Sequence, residues 1–442
     1  MVQANLKIIA ELKSVLHEIS VNPSLRQLFT DSPTSFSRDR KLTLQRLVGM
    51  IINLPKRSLS IELREFFEII EQDQPVTKGA FSLQRSKLLP VFFQVWNKWL
   101  VDSFYKYYGQ NVKRWKGFRL LAMDGSLVYL INNKEVSDYF GAHKNQHYPV
   151  PMARVLQTYD VLNNIIVSSN IYPLKYSEQA ISANEIAGLF DDSLILFDRA
   201  FPAFELMYLM QNQERAKHFV IRCPSDFNLE VSGFEKSKAS NKIFTLKATK
   251  YAVKRLRERG YIITRQTSIR VRMVKVKLSS CETEILLTNL YDKDQYSAMD
   301  LKNLYNLRWG IETCFGTQKN QLQLEQFSGH RVICIQQDFA ANVFVYNLQS
   351  LIEKQCAEYL KRINLKRKHR YKVNKNVSWA GLKNNIVRLF LKTEPYLILR
   401  KLQAEFERNI EPVRPGRKYD RSLRQKRLNG KYKTLTNYKR AI

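Results

Sequence analysis

FRLLAMDGS, residues 118–126, is the stretch on which the architecture turns. The residues before Asp124 are apolar apart from Arg119, too few for a helix, and Gly125-Ser126 follows as a turn signal. They predict a short buried strand ending on a carboxylate. SLILFDRAF, residues 193–201, repeats the design, with a buried strand over 193–197 that ends on Asp198. Between the two, residues 153–159 and 165–172 read as strands joined by an Asn163-Asn164 turn, and 177–190 reads as a helix. Beyond them come a helix over 202–211, with Pro202 in its first turn, and a strand over 218–222. Three strands, helix, strand, helix, strand predicts an α/β fold built on a mixed sheet with helices packed on it.

The whole chain has 442 residues, which at roughly 150 residues per domain predicts two to four domains. Hydrophobic residues at 44% exclude general disorder. Lys plus Arg is 72 and Asp plus Glu is 40, so the formal charge is 72 − 40 = +32. That excess calls for a polyanionic partner, with nucleic acid first and an anionic membrane surface second. No run approaches the about 18 apolar residues of a membrane span. Charges interrupt the N-terminal MVQANLKIIAELKSV, so it is not a signal peptide. The 5 cysteines are an odd number without a CxxC pair, which fits reduced thiols in a cytosol and excludes a zinc ribbon. His143 and His147 stand four apart, but Gly141 and Pro149 break any helix there, and the segment reads as a loop.

Five regions follow from pattern. Residues 1–110 read as helical, with runs over 41–54, 60–70, 77–89 and 92–108. The third run carries Lys78 and Arg85. It is either a helix that enters a major groove or the solvated face of an ordinary bundle. Residues 111–225 hold the first part of the sheet. Residues 226–295 are basic and strand-like. Within them 269–278 alternates as I-R-V-R-M and then V-K-V-K-L, and the change of phase at Met273-Val274 predicts a bulge. Arg270 and Arg272 then share a face that either meets solvent or tracks a phosphate backbone. Residues 296–350 return to helix behind a Ser297-x-x-Asp300 cap. Residues 351–442 are basic and helical. The tail from Arg414 has few apolar residues and is expected to order only on a polyanion.

Two features carry chemistry. Asp124 and Asp198 end apolar strands, where a carboxylate is costly unless paired or bound to metal. On neighbouring strands they would form a hard-oxygen site suited to Mg²⁺. Capping a strand or a turn is the plainer alternative for each. The second feature is LKNLYNLRWGIETCFGTQKNQ, residues 301–321. At about 100° per residue, Tyr305, Arg308, Trp309, Glu312 and Lys319 gather on one side of a single helix. A solvated salt-bridged face would explain the charges but not the two aromatics. Asp160 reads as a turn residue, Asp191 and Asp192 as a helix-to-strand connection, and Cys314 as structural.

Tyr305-x₂-Arg308-x₃-Glu312-x₆-Lys319 matches in full the Tyr-Arg-Glu-Lys signature of DDE transposases of bacterial insertion sequences. It resembles the branch holding the fourth-numbered insertion-sequence family and the transposon-five enzyme. Asp124-Gly125 and Asp198-Arg199 are similar to the two aspartate motifs of that family, although many relatives have Asp-Arg-Gly-Tyr where this chain has Asp-Arg-Ala-Phe. The resemblance covers about residues 35–350. It implies an RNase H-like mixed-sheet catalytic core with a β-rich insertion, an all-α N-terminal domain that binds DNA ends, and a basic helical C-terminal region.

The resemblance further implies that Asp124, Asp198 and Glu312 are catalytic and hold two Mg²⁺ ions, with Mn²⁺ able to substitute. One ion would activate a water or a 3′-hydroxyl and the other would stabilise the leaving 3′-oxygen. It implies cut-and-paste transposition by nicking, hairpin formation and strand transfer. Tyr305, Arg308 and Lys319 would grip phosphates and Trp309 would stack beside a flipped base. Lys78, Arg85, Arg270 and Arg272 are the further expected DNA contacts. The expected partners are the terminal inverted repeats, target DNA and a second copy of the chain in a synaptic homodimer, with no membrane. The expected location is the bacterial cytoplasm, on the nucleoid. Two other functions fit the same residues: a catalytically inactive DNA-binding relic, and an RNase H-like nuclease without strand transfer.

Overall fold

The computed structural model describes residues 1–414 apart from residues 39, 73, 145–148, 213–215, 278–282 and 393. The basic tail beyond Arg414, His147 and Cys281 lie outside the described residues. The chain divides into two compact units. One comprises Met1–Gly109, Tyr129–Met152 and the described part of the chain from Thr317, and the other Gln110–Val128 with Ala153–Gly316. The four described cysteines are free thiols. Among the described residues no helix is long and apolar enough to cross a membrane.

The first unit is helical. Its centre is Val332–Glu353, which is buried almost throughout from Ile335 to Ile352. Trp96, from the helix Val91–Tyr108, stacks on Phe344 at 4.0 Å between ring centres, and Phe390 lies 5.0 Å away. Buried amides tie the helices by name as well as by packing. Asn5 donates to the Leu351 carbonyl and accepts from the Tyr108 hydroxyl, and Asn347 pairs with Asn97. Each is a buried polar group that only one docking of the helices satisfies.

The short helix Lys78–Arg85 starts on Thr77, whose hydroxyl accepts from Ala80 N, as an N-cap should. Here the sequence expectation needs correction. Lys78 is exposed, but Arg85 is 2% exposed and points inward. Its Nε donates to Gln337 at 2.7 Å, Nη2 to Asp338 at 2.7 Å and to the Cys334 carbonyl at 2.9 Å, and Nη1 to Ser328. The apolar stripe at Phe81 draws Gln84 and Arg85 into the core, so Arg85 is a structural pin and not a groove-reading side chain.

The second unit holds most of the large sheet; residues 142–144 and the first residues of the strand from Pro149 fall in the first unit. The strands are β1 (Arg119–Tyr129), β2 (Ala142–Lys144), β3 (Pro149–Asp160), β4 (Ile165–Pro173), β5 (Ser193–Phe197), β6 (His218–Cys223), β7 (Asn241–Lys247), β8 (Ser268–Lys277) and β9 (Thr283–Thr288). The order is β2-β3-β1-β5-β6-β9-β8-β7, with β4 also paired to β3. β1, β5 and β6 are parallel, whereas β3–β4 and β6–β9–β8–β7 are antiparallel. The expected mixed-sheet α/β core is present. β5 is buried at every position, which is why it reads as an uninterrupted apolar run. One face packs Leu121, Met123, Ile195, Phe197 and Phe219 against Ile181 and Met207 of the helices Glu178–Glu185 and Phe204–Gln211.

Two local expectations change. β1 does not stop at Asp124 but runs on to Tyr129, so that carboxylate sits inside a strand. β8 carries no bulge at Met273-Val274, because its pairing with β7 and β9 is unbroken. Instead the strand exchanges its apolar face: Ile269, Val271 and Met273 are buried on one side, Val274 and Val276 on the other. Arg272 is buried with the second set. It donates to Asn241 Oδ1 at 2.6 Å and to the Leu290 and Tyr296 carbonyls at 2.9 Å. It is a structural staple under the loop, and only Arg270 of that pair remains exposed.

Gly125 lies against the Glu178 carboxylate, which ion-pairs with Arg154, and an added Cβ would overlap that carboxylate. Two predictions follow for chemical denaturation. Arg85→Ala removes the buried cation beside Asp338 and costs about 3–5 kcal/mol; a loss below about 1 kcal/mol would mean that the pair behaves as a surface pair. Gly125→Ala costs about 1–3 kcal/mol through overpacking. Adding Glu178→Ala removes the overlap, so the double variant is less destabilised than the sum of the singles; simple additivity would refute the close approach.

Candidate active site

The register of β1 on β5 places the two aspartates. Arg119 pairs with Ser193 and Ala122 with Leu196, and the same offset carried two residues on sets Asp124 opposite Asp198. Adjacent strands lie about 4.8 Å apart. Asp124 accepts from its neighbour Gly125 N at 2.8 Å, and Asp198 accepts from Ala200 N at 2.7 Å. The Asp124 carboxyl is pushed up to about 7, first by burial and then by the charge of Asp198, with Glu178 adding a little. Arg308 and the Gly125 amide oppose this.

The third acid arrives on a broken helix. Residues 301–321 do not form one helix. Ala298–Asn306 ends in a tight turn at Leu307-Arg308, and Trp309–Asn320 begins beyond it. Arg308 N bonds to Tyr305 O and Ile311 N to Arg308 O, the i to i+3 pattern of a 3₁₀ turn. The expected capping box at Ser297 and Asp300 starts the first helix. The break turns the Arg308 side chain inward, where it is 9% exposed. Its Nη2 donates to Glu312 at 2.6 Å, and its Nη1 lies 3.5 Å from Asp124. Burial disfavours the guanidinium charge, but Tyr305, Glu312 and Asp124 outweigh it and hold the group firmly protonated.

The aromatics flank that guanidinium. Its carbon lies 5.8 Å from the Tyr305 ring centre and 5.7 Å from that of Trp309. Tyr305 is buried, and Trp309 is 58% exposed. The Tyr305 hydroxyl and Arg308 Nε are buried with no hydrogen-bond partner among the described residues. Burial, chiefly, pushes the Tyr305 hydroxyl pKa up. Lys319 lies in the last turn of Trp309–Asn320, in the part belonging to the first unit; burial lowers its pKa. Arg270 sits over the Tyr291 ring, 5.2 Å from its centre.

Several neighbours were not singled out in the sequence. Glu178 with Arg154 is one pair. Arg222 with Glu284, at 2.7 Å, is another, and both of its members act on the Tyr305 hydroxyl. Arg199, Arg222 and Glu284 line one cleft. The available signal for Arg222 was its place at the end of the parallel strand after β5. Among the acids read as structural, Asp160 accepts from Leu162 N and Asn163 N, a turn-forming pattern, and Asp192 pairs with Arg114 and Arg119. Cys314 is buried and accepts from Gln157 at 3.3 Å.

Among the described residues no three carboxylate, imidazole or thiol groups stand together as a ready cage for an ion. The Asp124–Asp198 pair nevertheless fits a hard divalent cation. Two opposed carboxylates, one desolvated enough to resist ionisation, are stabilised by a positive charge between them.

The chain matches the family model described as a transposase DDE domain over residues 115–348. The transposase InsG of Escherichia coli, for insertion sequence element IS4, is 22% identical over 251 residues, 56% of this chain and 55% of that protein. InsZ, a transposase-type protein of the same organism, is 22% identical over 110 residues, 24% of this chain and 37% of that protein. The chain thus spans about half or less of these curated relatives. Among solved structures, the piggyBac transposase in its synaptic complex with hairpin DNA compares at a TM-score of 0.43 and 12% identity, covering 94% of this chain and 84% of that one. Asp124, Asp198 and Glu312 all fall in the matched span, which is more than half of the chain, and the protein belongs to the DDE-domain transposases.

Proposed function

We propose that this protein is an active transposase that excises an insertion sequence and joins it to new DNA. The observation that carries this reading is that Asp124 and Asp198 lie just past the end of the β1–β5 pairing, where Asp124 feels the charge of Asp198, with Arg308 linking Asp124 to Glu312. Asp124, Asp198 and Glu312 would hold divalent cations, Mg²⁺ or Mn²⁺. Two such ions supply an activated hydroxyl nucleophile and charge neutralisation at the leaving 3′-oxygen.

The residues of the chain do the positioning, which is most of what phosphoryl transfer needs. Arg308 offers its planar fork to a phosphate, and the unpartnered Tyr305 hydroxyl offers a donor beside it. Lys319 would contribute a separate point charge toward DNA. Trp309, exposed at 58%, is the group to stack on a base displaced during hairpin formation. The N-terminal helices, through Lys78 and neighbours, would bind the terminal inverted repeats, and Arg270 would add a backbone contact. The protein would act as a dimer holding both ends, in the bacterial cytoplasm.

A plasmid carrying the coding sequence with its native flanks tests the proposal. With Mg²⁺ it should release a defined fragment with hairpin ends; with EDTA it should not. Asp124→Ala and Glu312→Gln should each lower cleavage by on the order of 10²-fold or more. Binding without cutting, in Mg²⁺ and in Mn²⁺, would put the DNA-binding relic first, and cutting without joining the nuclease. Trp309→Ala should weaken hairpin formation by about 1–3 kcal/mol, roughly the value of one stacked base, and leave the first nick nearly unchanged. Equal loss at both steps would remove the stacking role.

A further inference from the structure

Arg308 is placed to do more than meet a phosphate. Its guanidinium spans two of the three acids, 2.6 Å from Glu312 and 3.5 Å from Asp124, and is 9% exposed. The turn at Leu307-Arg308 interrupts two good helices to put it there, and local structure that interrupts a helix commonly marks function. A guanidinium paired with carboxylates uses the oxygen lone pairs that a hard cation would need. Arg308 and a divalent ion therefore compete for Asp124 and Glu312. The same planar fork fits phosphate as well as it fits carboxylate. Two buried groups beside it point to such a ligand: Arg308 Nε and the Tyr305 hydroxyl both lack partners among the described residues. Each is a donor of the kind that a phosphate oxygen accepts from.

We propose that Arg308 is a resident counter-ion of the active site, which keeps Asp124 and Glu312 closed to divalent cations until a DNA phosphate takes its guanidinium. This rests on the transposase reading and adds a regulation to it. DNA removes the competitor for the metal, and the metal removes the competitor for the phosphate. By linkage, each ligand strengthens the other by the same factor. An unfilled enzyme thereby avoids loading metal away from its substrate.

The experiment uses the full chain without DNA and Mn²⁺ as the probe, with free Mn²⁺ read by electron paramagnetic resonance. Arg308→Gln should bind Mn²⁺ at least about tenfold more tightly than the parent, within the usual range of a coupling between sites. Arg308→Lys keeps the charge but cannot bridge two carboxylates, and should fall between them; it carries the test if the glutamine variant does not fold. Unchanged or weaker Mn²⁺ binding in the folded variants overturns the inference and leaves the transposase reading intact. Absence of binding in every protein, Asp124→Ala included, takes down the metal-site reading and the inference with it. A second arm measures duplex DNA affinity by fluorescence anisotropy with and without Ca²⁺. The parent should gain affinity with Ca²⁺ and Arg308→Gln should not; an equal gain in both overturns the coupling.

Discussion

Parallel pairing of β1 with β5 is the constraint on which the candidate site depends. Only four residue pairs are involved, Arg119 with Ser193 through Ala122 with Leu196. A slip of one residue would turn every side chain of a strand to the other face. Register is therefore held by the buried Leu121, Met123, Ile195 and Phe197 far more firmly than by the polar ends. The apolar core thus forces Asp124 and Asp198 to face each other, against their own electrostatics. The Asp124 carboxyl registers the cost, pushed up to about 7 by burial and by its neighbour. The site is an electrostatic deficit maintained by packing energy.

That deficit accounts for what surrounds it. Arg308 is brought in by a break between helices, and its burial is offset by the acids beside it. Glu178 stands on the Gly125 side of the strand, held off by its own ion pair to Arg154. An added Cβ at Gly125 would meet the far end of that Glu178 side chain. Each of these accompanies carboxylates placed just past the end of the buried β1–β5 pairing.

Much of this was legible in the sequence because it is local. Strand β5 and the Ser297 cap read correctly from apolar runs and cap chemistry, and the two aspartates were visible as charges that close hydrophobic segments. What stayed hidden depends on long-range partners. Arg85 and Arg272 look like any surface cation until Asp338, Ser328, Asn241 and the loop carbonyls are placed around them. The exchange of faces along β8 imitates a bulge, because periodicity records which side is apolar and not whether pairing continues. The break at Leu307-Arg308 has no proline or glycine at the turn itself, and helical spacing on both sides conceals it.

Net charge is likewise a poor map of an interface. Of the 72 Lys and Arg residues, some of the best-placed ones are spent on folding. Arg85 pins a helix, Arg272 staples a loop, and Arg57 holds Glu62 and Glu65. Exposed Lys78 and Arg270 have no side-chain hydrogen-bond acceptor among the described residues, and in this they differ from Arg85 and Arg272 although all four look alike in sequence. Arg308 belongs to neither class. It has internal acceptors, yet those acceptors are the acids most stabilised by a different cation. A guanidinium is suited to that position because it cannot lose its proton to escape burial, as a lysine could, and because its fork matches carboxylate and phosphate alike. In the proposed exchange the arginine changes partners without changing charge, so the empty site is partly compensated at every stage.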